Sequence, residues 1–150
     1  MKKVEPAKVI VIALVLITAM VAVFYLNTRT AAPKGTLLIE YGGQTLELPL
    51  EQLKLTAVQG TVVNGKGEGR TVDAQGILLD QILREAGITE FSEVTVTADD
   101  EYSAVVTAEE VTEAGKVYLI RQDGGGMQLI VFGDSNSKRN VSNVVRLSAQ

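Results

Sequence analysis

The sequence predicts an α+β domain dominated by strands, set behind a single apolar helix. Three observations predict it. Period-two alternation recurs through most of the chain, apolar residues recur at helical spacing in one clear stretch, and the first thirty residues hold a long uncharged apolar run. The 150 residues suit one domain with an appendage.

The appendage comes first. Val9 to Leu26, VIVIALVLITAMVAVFYL, is close to the ~20 residues a bilayer-spanning helix needs. A cleaved signal peptide would share the basic Lys2, Lys3 and Lys8, but this run exceeds the roughly 7–15 residues of a signal's apolar region, and no small-x-small cleavage site follows. The reading is therefore an uncleaved anchor. Its three N-terminal lysines outnumber the lone Arg29 beyond it, which by the positive-inside rule puts residues 1–8 in the cytoplasm. Residues 9–26 then span the membrane, 27–35 form a short linker with Pro33 and Gly35, and 36–150 form an extracytoplasmic domain.

Composition narrows what that domain can do. With no Cys and no His in the chain, thiol nucleophiles, imidazole bases and zinc or haem ligation by these side chains are excluded. The reading leans away from an enzyme. From Gly35 onward 9 Lys and Arg stand against 17 Asp and Glu, a formal charge of −8, which disfavours nucleic acid and anionic lipid. The expected partners are the membrane, through the helix, and a protein in or outside it. Without disulfides the fold must rest on its core, and ~115 residues suffice for one.

The elements follow in order. TLLIEY and QTLELPL flank Gly42-Gly43, a two-residue turn that predicts a tight hairpin. GTVVNGKG, Gly60 to Gly67, nearly spells a phosphate-binding loop, but Gly67 stands where the magnesium-binding Ser or Thr belongs and no helix pattern follows; a hairpin loop is the reading. Leu78, Leu79, Ile82, Leu83 and Ala86 lie at helical spacing, and Gly87 supplies a left-handed cap. Val94, Val96 and Ala98 alternate with Glu93, Thr95 and Thr97, the mark of a strand with one wet face.

Asp99, Asp100 and Glu101 then predict a solvent-facing turn, with the Tyr102 ring and Val105 buried on the strand beyond it. Consecutive acids on a turn point to different sides and do not form a calcium site. Thr107 and Glu110 make a capping box for a short helix ended by Gly115. VYLI and LIVF are continuous apolar runs suited to strands covered on both faces, joined through Asp123 to Gly126. Asn140-Val141-Ser142 formally matches a glycosylation acceptor, a tripeptide common by chance.

Read in order, GILLDQILREAGI, VTVTADDEYSAVVTAEEV, KVYLIRQDGGG, MQLIVFGD and SKRNVSNVVRL resemble the oxidoreductase molybdopterin-binding domain, the fold also seen in sulfite oxidase. That family has a G-x-x-L-x-x-L-L-x-x-A-G helix, a D-G-Y-S turn, an acid-rich helix, a loop ending in Lys-Trp and a final V-x-x-I strand. The resemblance runs from about Leu46 to Leu147 and rests on order and spacing. It implies an α+β fold of several small sheets.

Three departures bear on function. Catalytic members bind molybdenum through a cysteine thiolate that this chain lacks. Asn140 follows Lys138 and Arg139 where the resemblance expects an aromatic. Glu101 occupies the turn glycine's place, at about 1 kcal/mol if that position is left-handed. The resemblance leaves Ser135, Asn136, Ser137, Lys138 and Arg139 as candidate donors to a phosphate such as the pterin's. No cofactor is expected, with molybdopterin the group the resemblance would imply. Two functions follow: a non-catalytic ligand-binding or interaction module, or a subunit of a membrane oxidoreductase or electron-transfer system that binds a pterin or another phosphorylated cofactor.

Overall fold

The computed structural model describes residues 6–28 and 34–150, and the chain divides into two units, Met1–Ala31 and Ala32–Gln150. The first unit holds one helix, α1 (Pro6–Thr28, 23 residues). Its side chains are described from Ile10 to Val21 and all are exposed, the large apolar ones by 58–73% on every side of the helix. Among the described residues no helix is long and apolar enough to cross a membrane, the described side chains of α1 being too few to make a span by themselves. Lys2, Lys3, Arg29 and Pro33, on which the orientation and linker readings draw, lie outside the described residues.

The second unit is strand-dominated α+β. Its order is β1 (Thr36–Tyr41), β2 (Gln44–Pro49), a 3-10 turn (Leu50–Gln52), β3 (Thr56–Val63), β4 (Gly69–Leu78) and α2 (Leu79–Glu85). There follow β5 (Glu93–Ala98), β6 (Ser103–Thr107), α3 (Ala108–Thr112), β7 (Val117–Arg121), β8 (Met127–Val131) and β9 (Val144–Ala149). One sheet runs β2-β1-β9-β5-β6 and the other β3-β4-β7-β8. Every pairing is antiparallel except β1 with β9.

Local chemistry accounts for the joints. Gly42 and Gly43 take φ of 57° and 78°, the double left-handed turn that matches strand twist and that side-chain-bearing residues resist. Helix α2 closes as the sequence predicts: Gly87 N donates to Arg84 O at 2.9 Å and Ile88 N to Leu83 O at 2.8 Å, a Schellman pair that buries Ile88 beside Leu83. Helix α3 opens on the capping box, with Glu110 N donating to Thr107 Oγ1 at 3.3 Å and Thr107 N to Glu110 Oε2 at 3.1 Å. It ends at Thr112, short of Gly115, because Glu113 already turns extended.

The main core is shared by both sheets. Leu37, Ile39, Val94, Val96 and Leu147 from the five-stranded sheet meet Ile77, Leu119, Met127 and Leu129 from the other, and α2 adds Leu79, Ile82 and Leu83. The opposite face of the four-stranded sheet carries a second cluster of Val58, Val62, Val72, Ile120 and Ile130. The apolar runs of β7 and β8 are thus covered on both faces, as their composition requires. Phe132 lies so close over Gly60 that a Cβ there would sit 2.5 Å from the ring, which is why β3 carries a glycine in mid-strand.

Strand β6 corrects one expectation. Tyr102 is 49% and Val105 43% exposed, while Ala104 and Val106 face the core. The register explains Val105: Val94 pairs with Val106 and Val96 with Ala104, and cross-strand partners share a face, while Tyr102 lies in the turn before β6 with its hydroxyl held by Lys138 O. The inward pair of β5 therefore sets the phase of β6, and Val105 turns to solvent.

Candidate functional site

Two segments far apart in sequence meet at one end of the five-stranded sheet. The first is the turn from β5 to β6, where Ala98 N donates to Tyr102 O at 2.8 Å, Glu101 N to Ala98 O at 3.1 Å, and Tyr102 N to Asp100 Oδ1 at 3.0 Å. Glu101 is left-handed with φ 73°, at the place where the resemblance has glycine. The second is the loop from Gly133 to Asn143. It is pinned by the wholly buried Val141, whose carbonyl accepts from Leu129 N at 2.8 Å.

The two segments are stitched together. The Tyr102 hydroxyl donates to Lys138 O, and Asp99 N donates to Asn143 O at 3.0 Å. Asn143 is itself left-handed, φ 52°, and takes its own N–H to Gln122 Oε1 at 3.0 Å. The pairing of β5 with β9 shifts register between Thr97 and Ala98, a bulge that turns this end of the sheet out of its regular ladder. The β3–β4 hairpin joins the group, since a Cβ on Gly65 would lie 3.7 Å from Ser137 Oγ.

Between them lies an open pocket of about 340 Å³. Asp99, Asp100 and Tyr102 line it from the turn, and Ser137, Asn140, Ser142 and Asn143 from the late loop, with Ala98 beneath. Its only charged lining groups are two carboxylates. A second open pocket, about 410 Å³, lies at the Gly42-Gly43 hairpin and the end of β9. The first is the stronger candidate because two structured loops build it.

Of the five residues expected to hold a phosphate, Ser137 alone lines the pocket. Ser135, Asn136 and Lys138 are exposed, and the Asn136 side chain accepts from Lys138 N at 3.0 Å. Arg139 turns away. Its Nε and Nη2 donate to Asp134, Nη1 and Nη2 reach Glu110 Oε2 and Oε1 at 2.8 Å each, and Nη1 also donates to Val105 O at 3.3 Å. All five guanidinium donors are engaged.

The electrostatics follow from that geometry. The Arg139 hydrogen bonds hold the Glu110 carboxyl well below the usual range, at about 2, against the opposing effect of burial and with help from Thr107 N. Asp134 and then Glu110 raise the Arg139 guanidinium above its ordinary value. Among the described residues no group of three or more acidic side chains gathers as a metal site. A molybdenum–pterin group does not fit these residues: no thiolate exists in the chain, Arg139 is saturated, and the pocket presents carboxylates where a phosphate would need cations.

The sequence singles out both segments, and of the residues it offers as phosphate donors the pocket shares Ser137. Asp99, Asp100 and Tyr102 read as a structural turn, and the one motif at Asn140 and Ser142, the glycosylation tripeptide, does not point to a pocket. Comparison of the chain with protein-family models and with curated proteins gives no match.

Proposed function

We propose that this chain is a single-pass membrane protein whose domain outside the cytoplasm is a molybdopterin-binding-domain-like module that has lost catalysis and serves ligand binding or protein interaction. The observation that carries the reading is the saturation of Arg139 by Asp134, Glu110 and Val105 O, which leaves the pocket beside it without a buried cation. A ligand suited to Asp99, Asp100, Ser137 and Asn140 is neutral or cationic and rich in hydrogen-bond donors.

The resemblance supports the family reading through order: a helix, a strand, the Asp100-to-Ser103 turn, a capped acidic helix and a late loop that returns to that turn. The membrane reading is supported by α1, whose exposed apolar side chains leave no polar face for water. Its Thr18 hydroxyl donates to Leu14 O at 2.9 Å, the way a polar side chain is satisfied inside hydrocarbon.

The test is the full-length protein purified in detergent from a host that makes the molybdenum cofactor. Elemental analysis should find no molybdenum, and the denatured extract should lack pterin fluorescence. Stoichiometric molybdenum or pterin overturns the reading.

A further inference from the structure

The β3–β4 hairpin tip holds a feature that the pocket does not use. The chain has five asparagines, and Asn64 is the one followed by glycine. Its side-chain Oδ1 accepts two main-chain N–H bonds, from Lys66 at 2.9 Å and Glu68 at 3.0 Å. Its Nδ2 donates to Glu68 Oε2 at 3.2 Å. The Gly65 N–H enters no hydrogen bond among the described residues, and the space around Gly65 is open, with Ser137 Oγ alone within 4 Å of a built Cβ.

From this arrangement we propose that Asn64-Gly65 is a built-in modification site, at which the amide is converted spontaneously to a carboxylate. The Gly65 nitrogen, after losing its proton to solvent hydroxide, attacks Asn64 Cγ. Negative charge then gathers on Oδ1, where the Lys66 and Glu68 N–H groups already point, the arrangement by which preorganised donors lower such a barrier. The Cγ–Nδ2 bond breaks and the nitrogen leaves as ammonia, taking a proton from water. Water then opens the five-membered imide at either carbonyl, leaving aspartate or isoaspartate at position 64. No redox change occurs and no partner is needed beyond water.

The competing asparagine in an exposed loop is Asn136, before Ser137. Its Oδ1 accepts one N–H, from Lys138 at 3.0 Å, and the following residue carries a side chain that hinders the attack. The consequence of reaction at Asn64 is local but directed. A new negative charge appears beside Glu68, and the isoaspartyl form adds a methylene to the main chain between the Asn64 N to Glu68 O and Gly67 N to Asn64 O bonds, at 2.8 and 3.0 Å. This tip abuts Ser137, so the mark falls beside the candidate pocket.

The test uses the full-length protein in detergent at mildly alkaline pH and physiological temperature, followed by peptide mass spectrometry. The expected result is a gain of about 1 Da, split between two isomeric peptides, at Asn64 before any other asparagine. Gly65→Ala, which the open space admits, should slow it at least about tenfold, or ~1.4 kcal/mol in barrier. The same chain unfolded in urea is the decisive control. Folded protein should react at Asn64 at least as fast as the unfolded chain, because the two N–H donors are in place only in the fold. Faster reaction in urea, or an Asn64 that stays intact while Asn136 changes, overturns the proposal.

Discussion

Arg139 and Glu110, 29 residues apart, meet in a two-pronged ion pair whose nitrogen–oxygen distances are both 2.8 Å. Glu110 is also the third residue of α3 and the far member of its capping box, so one carboxylate caps the start of a helix and anchors the late loop. Asp134 grips the other side of the same guanidinium. Arg139 is therefore a bracket that fixes the loop behind the pocket rather than a ligand inside it.

Replacing Arg139 with Gln should destabilise the domain by about 2 kcal/mol, less than for a fully buried pair because its side chain is 26% exposed. Two carboxylates would be left facing each other. Urea unfolding checks the value, and Glu110→Gln in the Arg139→Gln background should cost little more than the single change.

The pH dependence has a defined sign. Glu110 is held at about 2 in the fold against an ordinary value of 4.5, so its contribution is fully present above 4.5 and lost as pH falls toward 2. Solvent screening keeps this loss near ~1 kcal/mol. Stability measured from pH 6 to pH 2 should fall more steeply in the native protein than in Arg139→Gln, and parallel curves would contradict the assignment.

Thr107→Ala removes the oxygen that accepts from Glu110 N and should cost about 1 kcal/mol. Asp100→Asn keeps an acceptor for Tyr102 N and should change stability by only a few tenths of that. A calcium-dependent rise in Tm that disappears in Asp100→Asn would show that the turn is a cation site after all.

Tyr102→Phe cuts the hydroxyl's bond to Lys138 O without changing the ring. Global stability should fall by about 1 kcal/mol or less. Amide exchange across residues 138–143 should quicken more than in the core strands, since the loop loses a tie to the turn. Uniform acceleration over the whole domain would mean the bond has no local role.

For α1, a reporter fused after Gln150 should behave as extracytoplasmic, and the full-length chain should stay with membranes through a carbonate wash. Appearance of a shorter soluble form would mean that the segment is cut.

The parts of this fold readable from sequence are those whose cause is local. The Gly42-Gly43 turn, the Gly87 cap and the Thr107–Glu110 box each depend on a few neighbouring residues, and each forms. Strand β6 was harder to read, because Val105 and Val106 are adjacent and only the partner strand decides which one faces inward. The site was harder still. Nothing in GDSNSKRN indicates that Arg139 will find Asp134 five residues back and Glu110 on another element, or that the space beside it will be lined by Asp99 and Asp100. Both depend on long-range pairing, through β9 and its bulge against β5, that local pattern does not encode.

The position of β9 has a further consequence, for the order in which the molecule can be assembled. It lies between β1 and β5, yet it is the last of these strands to be synthesised. Until residues 144–149 arrive, the β1–β2 hairpin has no neighbour and β5–β6 lacks one side. The five-stranded sheet therefore cannot be built progressively as the chain emerges; it must wait, open in the middle, for its keystone. A ribosome making this domain carries an unfinished sheet until β9 has emerged, and folding then proceeds by long-range closure, the slow kind.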